Sequence, residues 1–298
     1  MFELPRTATG PRAMTAPAAP QCRDGHPGWR ARLVLGYAAA GGRTFLREQE
    51  HRGPLLVQKP FYPEGPGVCH TYVIHPPGGV VGGDRLEIDA AVASRSHALI
   101  TTPSAAKFYR SNGPAATQTN RLAVADGAVL EWLPQETIVY NQANARLRTC
   151  VLLEGTARFI GWEILCLGLK ACGQPFARGR LHQYLEIRRD NQPVFIEPLE
   201  VRDCGPVQDE PWGLNGNPVI ATMVATTDAA ETAAAIREEV AARNPEGWFA
   251  ATHIKGLIVS RYLGADVYEA LSCFAQAWTI LRPEIAGRAA CPPRIWAT

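Results

Sequence analysis

The side chains of this sequence that are able to do chemistry are scattered carboxylates, thiols and imidazoles rather than a closed constellation. Glu163 stands in Phe159-Ile-Gly-Trp-Glu-Ile-Leu165 and Glu136 in Glu131-Trp-Leu-Pro-Gln-Glu-Thr-Ile138, each a carboxylate in apolar company. Taking a carboxylate out of water without a partner is costly, so each must find a cation, a hydrogen-bond donor or water. An Arg or Lys partner is the plain structural reading, and a wet acidic path for a metal ion is the sharper one. Asp84 closes His75-Pro-Pro-Gly-Gly-Val-Val-Gly-Gly-Asp84, whose four glycines and two prolines demand special backbone geometry. If residues 69–75 are extended, Cys69 and His75 point to one face. Thiolate, imidazole and carboxylate all ligate transition metals, so Cys69, His75 and Asp84 are candidates for a transient site. The bland alternative for this segment is a tight connection between strands.

Other chemistries lack their residues. The paired glycines lead toward Leu86-Glu87-Ile88 without the Lys-Ser or Lys-Thr of a phosphate loop or the spacing of a dinucleotide fingerprint. Ser104 and Lys107 have Ser-x-x-Lys spacing, but no Ser-Asp-Asn or Lys-Thr-Gly element accompanies them. The eight cysteines form no Cys-x-x-Cys pair, and the seven histidines no His-Glu-x-x-His, so a structural zinc site is not expected. Thirty basic residues against 28 acidic ones, with no block of like charge, argue against nucleic acid as partner. No run approaches the roughly 18 apolar residues of a membrane span, and the start lacks the apolar core of a secretory signal, so a cytoplasmic protein with no membrane contact is expected. A metal-dependent hydrolase using His70, His75 and Asp84, or a β-rich binding module, are the competing classes.

Elements able to position these residues are mostly strands. Residues 1–28 mix Pro, Ala, Thr and Gly without period and read as a disordered or loosely ordered arm, followed by a single domain over 29–298. From Trp29 onward short β-type runs recur between turn signals, several alternating, as in Tyr184-Leu-Glu-Ile-Arg188. Arg189-Asp-Asn-Gln192 marks a hairpin, and Asp126-Gly127 and Glu154-Gly155 read as tight turns of an antiparallel meander. Two helices are expected in the C-terminal third. One, near 228–243, is opened by a capping box at Asp228-Ala-Ala-Glu231 and stopped by Asn244-Pro245. The other, near 265–281, ends at Arg282-Pro283 and carries an apolar stripe through Val267, Leu271, Phe274, Trp278 and Leu281. That stripe docks on the protein's own sheet or in a partner's groove. In the tail, 286–298, Arg294 and Trp296 offer partner contacts or simple packing.

Five blocks in order, HPPGGVVGGD (75–84), TTPSAAKFYRS (101–111), LEWLPQETIVY (130–140), GWEILCLGLKACGQPFARG (161–179) and the closing LRP…GR…PPRIW, resemble the UreD (UreH) family of urease accessory proteins. Ser104-Ala105 stands where Gly-Ala is usual in that family, and Leu169-Lys170 where an Arg is common. The resemblance implies a mainly β, elongated, β-helix-like fold of antiparallel or mixed strands. It also implies a protein without catalysis of its own, needed for GTP-dependent nickel insertion into apo-urease as part of a complex with UreF and, through UreF, the GTPase UreG. No cofactor would be tightly bound, and nickel would be in transit through a polar, acidic tunnel. In such a tunnel Asp84, Glu136 and Glu163 would make physical sense.

Overall fold

The computed structural model describes residues 28–169, 172–203 and 205–297, so all of the expected N-terminal arm except Gly28 lies outside the described residues. The hairpin β1 (Arg30–Ala40) and β2 (Arg43–Arg52) is followed by β3 (Leu56–Phe61) and then by four stacked coils. The first coil is β4 (Cys69–Ile74), the Gly-rich loop and β5 (Arg85–Val92). The second is β6 (His97–Thr101), β7 (Ala106–Phe108) and β8 (Ala116–Val124). The third is β9 (Val129–Leu133), β10 (Thr137–Val139) and β11 (Asn144–Leu153), and the fourth β12 (Arg158–Leu169), β13 (Gln174–Pro175) and β14 (Arg180–Arg189). The chain goes on through β15 (Gln192–Arg202), α1 (Pro206–Asp209), β16 (Val219–Thr226), α2 (Glu231–Ala241), β17 (Trp248–Ile254), β18 (Leu257–Gly264), α3 (Val267–Ala286) and a 3-10 turn at Arg294–Ala297.

The fold is therefore mainly β and solenoid-like, as the resemblance implies, but its centre is not the antiparallel meander that the residue pattern suggested. β4, β6, β9 and β12 pair in parallel in one sheet, and β5, β8, β11 and β14 do so in the facing one. Among the described strands, the antiparallel pairs are on the flanks: β1–β2, β3–β4, β14–β15, β12–β13, β12–β16, β16–β18 and β17–β18; inside the stack there is a single antiparallel bridge, Arg110 with Ala143. Alternation fixes which side chains face inward; it carries no information about the direction of the neighbouring strand. Asp126-Gly127 and Glu154-Gly155 are turns, but each carries the chain from one sheet to the other instead of closing a hairpin. The corners are stitched together: Asp126 Oδ1 accepts from Thr156 N at 2.7 Å and Thr156 Oγ1 at 2.8 Å, and Asp190 Oδ1 from Gly155 N at 2.9 Å. At 189–192 the hairpin is real, with Asp190 and Asn191 at φ +49° and +66°, the left-handed pair that a two-residue hairpin needs.

Two cores result. One fills the solenoid between the sheets (Leu33, Leu122, Leu130, Val151, Leu181), and the other lies between the outer side of the β12 sheet and α2 and α3 (Ile164, Ile236, Phe274, Trp278). The helical stripe thus docks on the protein's own sheet. Both helices depart from expectation at their ends. The first starts at Glu231 behind Ala230 with no side-chain cap, so Asp228-Ala-Ala-Glu231 is not a capping box; Thr227 Oγ1 instead accepts from Ala229 N at 3.0 Å. The second is capped by Asp266 and runs through Pro283 to Gly287, at φ +65°. A proline so near the helix end removes little, and Arg282 and Ile285, both buried, hold the last turn down. The short α1 had no sequence signal. Among the described residues no helix is long and apolar enough to cross a membrane.

Candidate functional site

The four internal blocks quoted above occupy corresponding places in successive coils: the Gly-rich loop in the first, β6–β7 in the second, β9–β10 in the third and β12–β13 in the fourth. Within the fourth, alternation along β12 turns Ile160, Trp162, Ile164 and Cys166 toward the helices and Phe159, Glu163, Leu165 and Leu167 into the solenoid. There Glu163 is the acceptor at the end of a relay. Gln118 Nε2 donates to Asn120 Oδ1 at 3.3 Å, Asn120 Nδ2 donates to Thr149 Oγ1 at 2.9 Å, and the Thr149 hydroxyl and Gln183 amide both bond the Glu163 carboxylate. Burial pushes the Glu163 pKa up, the bonds from Thr149 and Gln183 oppose the rise, and the nearby Glu197 carboxylate adds to it. Among the described residues no Lys, Arg or His pairs with Glu163, yet part of its surface stays accessible deep inside the protein. In the same interior, Trp132 Nε1 has no protein partner among the described residues, a situation buried donors resolve with water.

Beyond Glu163 the polar line continues across the sheet. Glu163 stands opposite Thr222, and Thr222 opposite Arg261. Arg261 Nη2 and Nε donate to Glu197 Oε1, on β15 of the facing sheet, at 2.6 and 2.9 Å. This half-exposed pair bridges the two sheets past the last coil, at the end of the interior.

The other expected site residues do not join this line. Asp84 is buried, but its two oxygens accept from Trp29 N at 2.8 Å and Val81 N at 3.0 Å, tying the start of β1 to the Gly-rich loop. It lies in the first coil, three strand spacings or roughly 14 Å along the stack from the fourth. His75 is half-buried nearby, its pKa lowered by burial and raised in part by Asp84. Cys69 opens β4 and faces the solenoid interior beside Thr71 and Tyr62, while His75 lies past that strand's other end. Six extended residues span roughly 20 Å, so the shared face does not make a shared site. Glu136, half-buried on the β9–β10 connection, has its pKa raised by burial and lowered by Lys107; it adjoins Cys166, whose thiol is pushed up to about 11, first by burial and then by Glu136. No cluster of three or more His, Cys, Asp or Glu suited to a metal ion occurs among the described residues.

Under α3 lies a charged cluster that sequence reasoning missed. Arg282, fully buried, donates through Nε to both oxygens of Glu131 at 3.0 and 3.1 Å and through Nη2 to Glu64 Oε1 at 2.6 Å. Nη1 donates to the Ala289 carbonyl. His97 and His70 bond Glu131 and Glu64, each at 2.7 Å, and Trp278 Nε1 donates to Glu131 Oε2 at 2.6 Å. Burial opposes ionisation of both carboxylates, but His97, Arg282 and Trp278 bring Glu131 below the usual range, and His70 and Arg282 bring Glu64 to about 2. A signal existed: Glu131 interrupts a five-residue strand buried on both faces, and Arg282 follows Trp278 by one helical turn. The cluster corrects the expectation of Trp278 as a partner contact, since its ring is wholly inside. Trp296 is partly buried, its indole N–H donating to Thr101 Oγ1 at 2.9 Å and its ring 5.6 and 5.8 Å from those of Trp162 and Trp278. Arg294 is exposed at the start of the 3-10 turn. His70, engaged with Glu64, is also on the other side of β4 from Cys69, so the hydrolase set of His70, His75 and Asp84 is not assembled.

Fold and site together define a β-solenoid with a helical layer locked to one sheet and an acid-bearing polar line inside. The sequence profile of the UreD urease accessory protein family matches residues 29–297. Among individual relatives, urease accessory protein UreD of Dechloromonas aromatica (strain RCB) is 46% identical over 277 residues, covering 91% of this chain and 96% of that protein. UreD of Azoarcus sp. (strain BH72) is 47% identical over 275 residues, with 91% and 95% covered, and UreD of Pseudomonas fluorescens (strain Pf0-1) 45% identical over 272, with 91% and 96% covered. The chain belongs to the UreD family of urease accessory proteins.

Proposed function

We propose that this UreD-family chain is a non-catalytic scaffold, acting in the cytoplasm, through which nickel reaches apo-urease. It works with UreF and, through UreF, the GTPase UreG, and it holds nickel only in passage. The observation that carries this reading is Glu163: a carboxylate set inside the solenoid, bonded by neutral donors, with no cationic partner among the described residues. Such a group is ready to accept a divalent ion from outside, and an arriving ion would displace the proton that burial favours. Carboxylate and water suit brief coordination better than a thiolate set that would hold the metal. Glu136, near the corresponding edge of the third coil, is a weaker candidate for contact with the ion, since Lys107 competes for it. Asp84 serves mainly to position the first coil.

The test is urease activation with purified apo-urease, UreF, UreG, GTP and nickel, comparing wild type with Glu163→Gln and Glu136→Ala. Glu163→Gln is expected to leave complex formation intact while lowering both nickel content and urease activity, with a smaller loss for Glu136→Ala. Wild-type nickel loading in both variants would remove the interior path.

A further inference from the structure

An exposed apolar cluster sits at the edge where the Gly-rich loop meets the second and third coils. Trp29 and Val81 are 62% and 50% exposed and line a shallow cavity of about 380 Å³ with Pro77, Gly79 and Asp84. Tyr109 is packed against Gly79 so closely that an added Cβ would come within 2.1 Å of its ring, and it stacks on Tyr140 at 4.8 Å. The glycine thus lets the ring of one coil lie flat on the loop of the previous one. Gly79 therefore links the cavity lined by Trp29 and Val81 to the stacked pair Tyr109 and Tyr140.

Its rim is basic. Arg30 and Arg85 are exposed neighbours across the parallel β1–β5 ladder, followed in the same row by Thr117 and Arg146, and exposed Arg110 adjoins Tyr109. Like charges side by side on a ladder cost stability. Neither Arg30 nor Arg85 has a carboxylate partner among the described residues, whereas one and two rows further on Glu87 and Asp89 are taken up by Arg32 and Arg121. Asp84, within the cavity, is already satisfied by two backbone N–H groups. Aromatic anchors ringed by arginine are the composition of an interface centre.

We infer that this edge docks a protein segment presenting an apolar side chain flanked by carboxylates: the side chain enters the cavity, and the acids meet Arg30, Arg85 and Arg110. The segment before Gly28 is itself net basic, with Arg6, Arg12 and Arg23 against Glu3 and Asp24, and so complements the arginine rim poorly. A polyanion fits less well, because it would meet Glu87 and Asp89 on the adjoining face. The inference rests on the proposed partnership with the urease proteins, whose members serve as probes.

Purified nickel-free urease and purified UreF would each be titrated against the full chain at low and high salt, using wild type, Trp29→Ala/Val81→Ala, Arg30→Glu/Arg85→Glu and, as rescue, Arg30→Lys/Arg85→Lys. All substituted side chains are exposed, and unchanged thermal unfolding would show that the variants fold. For one of the two probes, affinity should fall at least about tenfold in the first two variants. The lysine variant should retain most of it, and salt should weaken wild-type binding but not that of the charge-reversed variant, where it screens repulsion instead. Undiminished binding of both probes by the variants would overturn the docking edge while leaving the partnership standing. Failure of the wild-type chain to bind either probe would overturn the partnership and the edge with it. Binding of a single-stranded RNA or of anionic vesicles that the same substitutions abolish, with protein binding intact, would assign the edge to a polyanion and reject the proposal.

Discussion

Glu131 and Glu163 stand on adjacent strands, β9 and β12, and face opposite sides of the same sheet. On the helix side, Glu131 is saturated: two contacts from Arg282, one from Trp278, one from His97. On the solenoid side, Glu163 takes, among the described residues, only neutral bonds, from Thr149 and Gln183. Burial penalises both charges, but full pairing reverses the penalty in one and leaves it in the other, so the two pKa values are driven in opposite directions. One glutamate serves to fasten a helix. The other has no cationic partner among the described residues.

The comparison is most exposed to Arg282→Met, which removes the buried guanidinium that bonds both Glu64 and Glu131 and leaves each carboxylate with its histidine. A loss of about 3–5 kcal/mol in urea unfolding is expected. A loss below about 1 kcal/mol would mean that the cluster does not fasten α3.

Acidification comes next. Because Glu64 and Glu131 have folded-state pKa values below the unfolded 4.5, with Glu64 at about 2, their stabilisation is complete above 4.5 and disappears as pH falls toward 2. Glu163 has the opposite sign: its raised pKa favours the protonated form, so its contribution is lost as pH rises through that value. Unfolding midpoints should therefore drop steeply between pH 5 and 2 in wild type, and less so in Arg282→Met, where that stabilisation is already gone. Equal acid sensitivity in the two would break the assignment.

Glu163→Gln sharpens the other half. Removing a charge that lacks a cation should change stability at pH 8 by no more than about 1 kcal/mol, in the stabilising direction if in either. A loss of several kcal/mol would show that Glu163 is a structural lock like Glu131. The smallest effect is expected for Arg261→Gln at the end of the polar line. An exposed ion pair contributes about 0–1 kcal/mol, so unfolding should hardly move. If nickel passes this end, its transfer rate should change, and an unaltered rate would place the path elsewhere.

Parts of this organisation were legible in the residues. Asp190-Asn191 between alternating runs required a hairpin, and the stripe through Phe274, Trp278 and Leu281 required a helix with one buried side. The Gly-rich loop announced special backbone geometry, and Gly78 and Gly83 take φ of +71° and +95°. Asp126-Gly127 announced a turn but not which strands it joined, since a corner and a hairpin share the same local backbone. Proline at 283 misplaced the end of α3 because the anchor of its last turn is Glu64, 218 residues away from Arg282.

Sequence alone thus determined the strand-rich character, the apolar surroundings of Glu163 and the helix stripe. It also made it necessary for buried carboxylates to find partners. These are set by side-chain period and by the cost of removing charge from water, both properties of short segments. Only the tertiary structure decided that successive strands alternate between two sheets, that Glu131 meets Arg282 while Glu163 meets Gln183, and that Trp278 lies inside. Each depends on which coil stacks on which, and no local pattern encodes a partner 20, 147 or 151 residues distant.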